Sequence, residues 1–372
     1  YTGVGRFPYM TMIDNHAGSA WGYRYNGITE TYTGADNLKW EVAKKANLGI
    51  DAKFFHDKLS FTVDIFRDTR DHIFQDRVTL PSFVGMVTYP KSNVGRMHSV
   101  GSDGNIEFFH QINKDMNFTI RANYTFSQNV IDYFEENKLP YDYLSVTGKP
   151  FNILRGYISE GLFASKEEIN TSPDQSGFGT IRPGDIKYKD LNGDGEVTAV
   201  DKTAIGGTRI PEIVYGFGAT VSYKSFDLGV FFQGTGKTYQ LLGGETWLPG
   251  SSLGAGNIYS NIDDRWTPEN PRQDVFWPRM GDKAVANNEQ ASTWWLRDMS
   301  FLRLKNLELG YTLPQRWTTK IGIRGCRLFA RGTNLLTFSN FKLWDPELET
   351  TDGLRYPQMK SVSVGFSINF NN

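Results

Sequence analysis

The chain of 372 residues has a single cysteine, Cys326, so no internal disulfide framework is available to it. A small buried or lipid-facing filler is the better reading of that residue than a catalytic thiol. Its five histidines are scattered without metal-ligand spacing, and neither a His-Glu-x-x-His nor a Gly-x-Ser-x-Gly arrangement occurs. No run of about 18 apolar residues exists, which excludes a membrane-spanning helix. Excess charge is missing as well: 40 basic against 41 acidic residues leave no overall electrostatic footprint for nucleic acid. No charged-then-apolar signal segment precedes Tyr1.

What is abundant is aromatic and small. There are 26 Phe, 18 Tyr and 9 Trp beside 38 Gly, in a chain of negative mean hydropathy. Period-two alternation recurs with one parity apolar and the other polar or small. Residues 116–126 set Met116, Phe118, Ile120, Ala122, Tyr124 and Phe126 against Asn117, Thr119, Arg121, Asn123 and Thr125. Residues 213–223 and 361–370 alternate in the same way, and shorter stretches do so near 48–54, 59–65, 106–112 and 226–232. Two less regular strands fall near 295–313 and 322–337, the first changing phase around Lys305 and Asn306 as a bulge would make it do. That makes nine strands with one face suited to hydrocarbon and the other to water.

The connections alternate too. Short turns are read at 56–58, 113–115, 224–225 and 314–318, and long segments at 73–98, 130–211, 237–293 and 338–359. Short turns on one side and long loops on the other is the arrangement of an outer-membrane barrel. The fold expectation is therefore all-β: a transmembrane antiparallel β-barrel of nine or ten strands with long extracellular loops. Residues 1–43 are read as an extracellular loop region, 44–130 as strands, 131–211 as a long extracellular loop and 212–372 as the final strands. Complete bacterial single-chain barrels have an even strand number, so nine strands entered from an external loop read as the C-terminal part of a larger one, without plug or early strands. An antiparallel sandwich shares the two-faced alternation but gives no reason for the asymmetry of the connections.

Among local motifs the sharpest is Asp190, Asn192, Asp194, Glu196 and Asp201, oxygen side chains at positions one, three, five, seven and twelve of a loop with Gly195 at six. This spacing can wrap a loop around a hard cation, Ca²⁺ or Mg²⁺; a hydrophilic Asx-turn loop closed on its own backbone is the alternative. Trp247, Tyr259 and Trp277 in the long 237–293 segment are candidate substrate-binding aromatics, set against the packing that any long loop needs. Arg121, Asn123 and Thr125 are candidate lumen-facing residues. Gly216-Phe-Gly218 and Gly243-Gly244 do not stand between a strand and a helix, so a dinucleotide cradle is not read there. Asp263 and Asp264 show no acid-base geometry, and no catalytic residue is assigned.

One set of motifs keeps its order across most of the chain. It comprises Pro183 through Gly195, Ile205-Gly206, Pro211 with Tyr215-Gly-Phe217, Phe226-Asp-Leu228, Phe231-Phe-Gln-Gly234, Arg265 through Pro271, Phe301 through Pro314, and Gly332 through Phe338. With these the sequence resembles the late barrel of SusC-like TonB-dependent transporters, the RagA/SusC branch. The resemblance implies a 22-stranded barrel with an N-terminal plug in a Gram-negative outer membrane. It also implies import of a glycan or peptide nutrient driven through TonB, with no enzymatic activity. A SusD-like extracellular lipoprotein would act as a lid, in a dimer of transporter-lipoprotein pairs. Phe370 is followed by Asn371 and Asn372, a departure from barrels that end on the aromatic. A passive porin-type channel and a secreted, calcium-stabilised carbohydrate-binding sandwich are the rival readings.

Overall fold

The computed structural model describes all residues except 1–6, 21–22, 36, 87, 245–246, 248–257, 282–284, 320–321 and 371–372; the reading of the terminal Asn371 and Asn372 lies outside the described residues. The elements follow in chain order. Strands β1 (Met12–Ala20) and β2 (Tyr23–Tyr32) form a two-stranded sheet. Then come β3 (Val42–Phe54), β4 (Leu59–Asp76), β5 (Lys91–Asn113) and β6 (Met116–Tyr133). A long connection holds β7 (Arg155–Gly156), β8 (Ser159–Leu162), α1 (Lys166–Thr171), β9 (Ile186–Tyr188) and β10 (Thr203–Ala204). Next are β11 (Ile213–Tyr223), β12 (Phe226–Gly236), β13 (Tyr239–Leu241), β14 (Leu296–Asp298) and β15 (Phe301–Thr312). The chain closes with α2 (Gln315–Thr318), β16 (Ile323–Ser339) and β17 (Ser361–Phe370).

Nine strands make one sheet in the order β17-β16-β15-β12-β11-β6-β5-β4-β3, and these are the nine read from alternation. The chain divides into two compact units, one of residues 1–48, 66–101 and 128–151, the other of residues 49–65, 102–127 and 152–372.

In the first unit the strands run further than alternation suggested. β4 continues to Asp76 and β5 begins at Lys91, so the connection expected over 73–98 shrinks to 77–90. The cause is a change of glue: Asp71 on β4 takes Lys44 of β3 at 2.9 Å and Arg96 of β5 at 2.7 Å. Paired charges carry the ladder where apolar parity has ended. The hairpin β1–β2 stands where the sequence predicts a loop, because residues such as Asp14, Asn15 and Gly18 give it no apolar parity.

In the second unit the register tests the parity reading row by row. Phe118, Val221, Leu228, Leu309, Ala330 and Val364 lie side by side across six strands, and the next row is Thr119, Thr220, Gly229, Glu308, Arg331 and Ser363. The apolar rows lie open, with Leu309 54% and Val364 82% exposed. A sheet in water would cover such a face; in a bilayer it meets hydrocarbon while every backbone group stays paired. Cross-strand ring pairs strengthen it, Phe217 with Phe232 at 5.2 Å and Phe226 with Tyr311 at 4.7 Å. The phase change at Lys305 is a bulge, since the pairing of β15 with β16 skips from Leu304 to Asn306.

This parity predicts opposite outcomes at two neighbouring positions. Val230 on the apolar face stands near the middle of its strand, so Val230→Arg should cost about 2–4 kcal/mol of folding free energy in bilayers. Thr220→Arg, on the polar face, should cost far less; urea titration of the intact protein in lipid vesicles measures both.

Candidate functional site

The polar face of the second unit is the first candidate site. Arg121, Asn123 and Thr125 share it, opposite Gly218, Gly216 and Val214 of β11, and all three are exposed. Arg121 donates to Glu107 at 2.8 Å. Beyond them runs an ion ladder that motif reading missed. Arg327 of β16 bonds both Asp227 of β12 and Glu308 of β15, the latter at 2.7 Å, and Arg331 donates to Glu308 at 2.6 Å. Its bonded partners lie up to 100 residues apart, and only their common parity in the register would have signalled it.

Glycine makes that ladder possible. Gly310 stands on β15 between Asp227 and Phe329, and a Cβ there would come within 2.3 Å of the Arg327 Nη2 and 2.4 Å of an Asp227 carboxylate oxygen. With no side chain at Gly310, the guanidinium crosses β15 to reach the next strand but one. Gly218 and Gly229 likewise leave Phe231 in a shallow trough lined also by Thr119, Arg121 and Asn306.

The long connections form the second candidate region. Asp185, 0% exposed, receives Arg279 at 2.8 and 3.1 Å, the Arg182 N–H at 2.8 Å and the Asn288 amide at 3.0 Å. A buried carboxylate is tolerable only when it is so fully bonded. Asn287, Asn288 and Gln175 extend the network. Gln175 takes the Tyr188 N–H at 2.7 Å and donates to Asn287 at 2.8 Å, while Asn288 takes the Ile186 N–H at 2.9 Å. The short strand β9 is thus fastened to residues about a hundred positions later. Gly184, at φ 88°, explains the residue before Asp185: a Cβ would lie 2.3 Å from the Trp266 ring.

The aromatics expected to meet substrate are inside this region. Trp277 is 0% and Trp247 1% exposed, with ring centroids 4.9 Å apart. Tyr259 stacks on Trp277 at 5.7 Å and donates its hydroxyl to the Asp352 carbonyl at 2.6 Å. The reading of Trp247, Tyr259 and Trp277 as substrate-facing is therefore corrected to packing. A long connection with only a short β-pair, β13 with β14, has to build its own core, and indole rings bring the most area to one.

The Asp-rich loop is closed on itself. Asp190 accepts the N–H of Gly193 at 2.7 Å and of Gly195 at 2.9 Å. Asn192 and Asp194 accept from Asp194 and Glu196 at 3.0 and 2.9 Å. Buried Asp201 accepts from Leu191 and Thr198 at 2.8 and 2.7 Å. Among the described residues no group of three or more His, Cys, Asp or Glu is gathered as metal ligands would be. These side-chain to backbone bonds are those of Asx turns.

Two outcomes follow. Trp277→Ala should destabilise the connection core by about 3–5 kcal/mol, read as loss of protease resistance between residues 237 and 299 with the strands still folded. Partial burial pushes the Asp190 carboxyl up, but the N–H groups of Gly195, Gly193, Asn192 and Asp194 outweigh it and hold it below the ordinary aspartate value. Its contribution is thus complete above that ordinary value and is lost as pH falls through the lowered one. Proteolysis within 190–201 should rise only over that acid range, and less steeply in Asp190→Asn.

Comparisons with known proteins bear on the whole chain. The family model described as "TonB dependent receptor-like, beta-barrel" matches residues 9–335. TonB-dependent receptor P3 of Formosa agariphila is 28% identical over 378 residues, 93% of this chain and 36% of that protein. TonB-dependent receptor SusC of Bacteroides thetaiotaomicron is 24% identical over 387 residues, 98% of this chain and 35% of that protein. The RagAB peptide importer in its open-open state superposes with a TM-score of 0.72 at 24% identity, covering 99% of this chain and 38% of that one. The chain spans little more than a third of the length of these relatives. It belongs to the TonB-dependent receptor β-barrel family of the outer membrane.

Proposed function

We propose that the protein of which this chain is a part imports an oligomeric nutrient, a glycan or a peptide, across the outer membrane by TonB-driven transport, with a SusD-like lipoprotein as its external lid. The observation that carries this reading is the two-faced sheet within a receptor family. One face is open and apolar; the other is polar, exposed and held rigid by ion pairs, as the wall of an aqueous lumen must be. Arg121, Asn123 and Thr125 would stand on that wall. The names of two relatives, SusC and the RagAB peptide importer, support import by a transporter working in a complex. The long connections, packed around Trp277, would form the outer mouth; cargo would meet their surface rather than their indoles. A Ca²⁺ or Mg²⁺ ion at Asp190, Asn192, Asp194, Glu196 and Asp201 would use the oxygen lone pairs that the backbone bonds leave open. Titration of either ion that leaves the Tm unmoved would remove it.

Uptake separates this proposal from a passive channel. Deleting the gene should abolish accumulation of labelled oligosaccharide or oligopeptide, and collapsing the proton gradient in the intact strain should do the same. Accumulation that survives without the gradient would replace active import by diffusion through a pore.

A further inference from the structure

The overall balance of charge conceals a local bias at the short turns, all of which lie in the second unit. Lys58, Lys114, Lys224 and Arg316, one in each turn, are exposed. Among the described residues none of the four has a carboxylate partner. The guanidiniums of the polar face differ, since Arg121, Arg327 and Arg331 are each bonded to a carboxylate. The same turns hold two acids, Asp57, which faces Lys53 at 3.9 Å, and Asp115.

Two of the turns set a large exposed aromatic beside the cation, and a third has one three residues before it. Phe55 precedes Lys58 and is 68% exposed; Lys224 lies 5.4 Å from the Tyr223 ring; Arg316 lies 5.8 Å from that of Trp317, 53% exposed. Neighbouring turns are joined, because the Lys224 N–H donates to the Asp115 carbonyl at 2.7 Å and the Thr312 N–H to that of Ser225 at 2.7 Å. The cations therefore recur along one edge of the sheet about every second strand, a step of roughly 10 Å. Lys224 also sits at φ 53° in a two-residue turn where Asn or Gly would be favoured, so a charge is kept at the cost of backbone strain.

We propose that this edge of turns binds the headgroups of anionic phospholipid in the inner leaflet of the outer membrane. Short turns of outer-membrane barrels face the periplasm. Exposed aromatics settle at headgroup depth, and a lysine or arginine near an anionic surface is drawn to its phosphates. The row matches that surface: a line of separate cations, two with an aromatic ring beside them and a third with one nearby in sequence.

The test reconstitutes the full-length protein into nanodiscs of phosphatidylethanolamine with phosphatidylglycerol and counts the lipids retained by native mass spectrometry. The wild type should retain phosphatidylglycerol above its bulk share. A variant with Lys58→Gln, Lys114→Gln, Lys224→Gln and Arg316→Gln should lose that enrichment, and the corresponding Lys-to-Arg variant should keep it. Single neutralisations, which cover the case of a fourfold variant that does not assemble, should each lower retention by up to about fivefold. A control variant in the long connections, Lys138→Gln with Lys166→Gln, should not change it. Equal retention of both lipids by the wild type, equal loss in the control variant, or displacement of phosphatidylglycerol by millimolar inorganic phosphate would each overturn the proposal.

Discussion

The sheet of this chain is arranged around the obligation to pair backbone N–H and C=O groups where no water can substitute. A sheet meets that obligation between strands, which leaves each strand with two faces and the sequence with a period of two. The row containing Leu228, Leu309 and Val364 and the row containing Gly229, Glu308 and Ser363 are consequences of one register. Displacing β15 by a single residue would turn Glu308 towards hydrocarbon and away from Arg331.

The second unit joins two kinds of stability. In its sheet the apolar side chains lie on one face, and polar groups of the other face hold one another through charge. In its long connections the order is that of an ordinary soluble domain, with indoles at the centre and a bonded carboxylate, Asp185, among them. Buried amides such as Asn287 and Asn288 tie segments whose own β-structure is only two to four residues long. Such segments bury too little backbone pairing to hold themselves, so side-chain amides take over part of what a sheet does elsewhere.

Legibility in the sequence followed from these same causes. The nine sheet strands could be read because lipid on one side and water on the other imposes alternation, and the bulge at Lys305 showed itself as a break in phase. β1 and β2 could not, since nothing asymmetric bears on Asp14, Asn15 or Gly18. The outer ends of β4 and β5 were equally hidden, because the contacts of Asp71 with Lys44 and Arg96 leave no periodic trace. In the connections the importance of Trp247 and Trp277 was visible but their direction was not: a residue type suited to stacking on a ligand is as well suited to stacking on itself. Asp227, Glu308, Arg327 and Arg331 became a set only once the register had brought them into line.

Arg327 reaches across β15 to Asp227 while also holding Glu308, over the gap left by Gly310. Mechanically this is a diagonal brace spanning three strands. Hydrogen-bond ladders resist separation of neighbouring strands but yield more readily to sliding along their length, whereas a diagonal tie resists sliding. A wall braced in this way can carry a pulling load applied to one strand into its neighbours without changing its register.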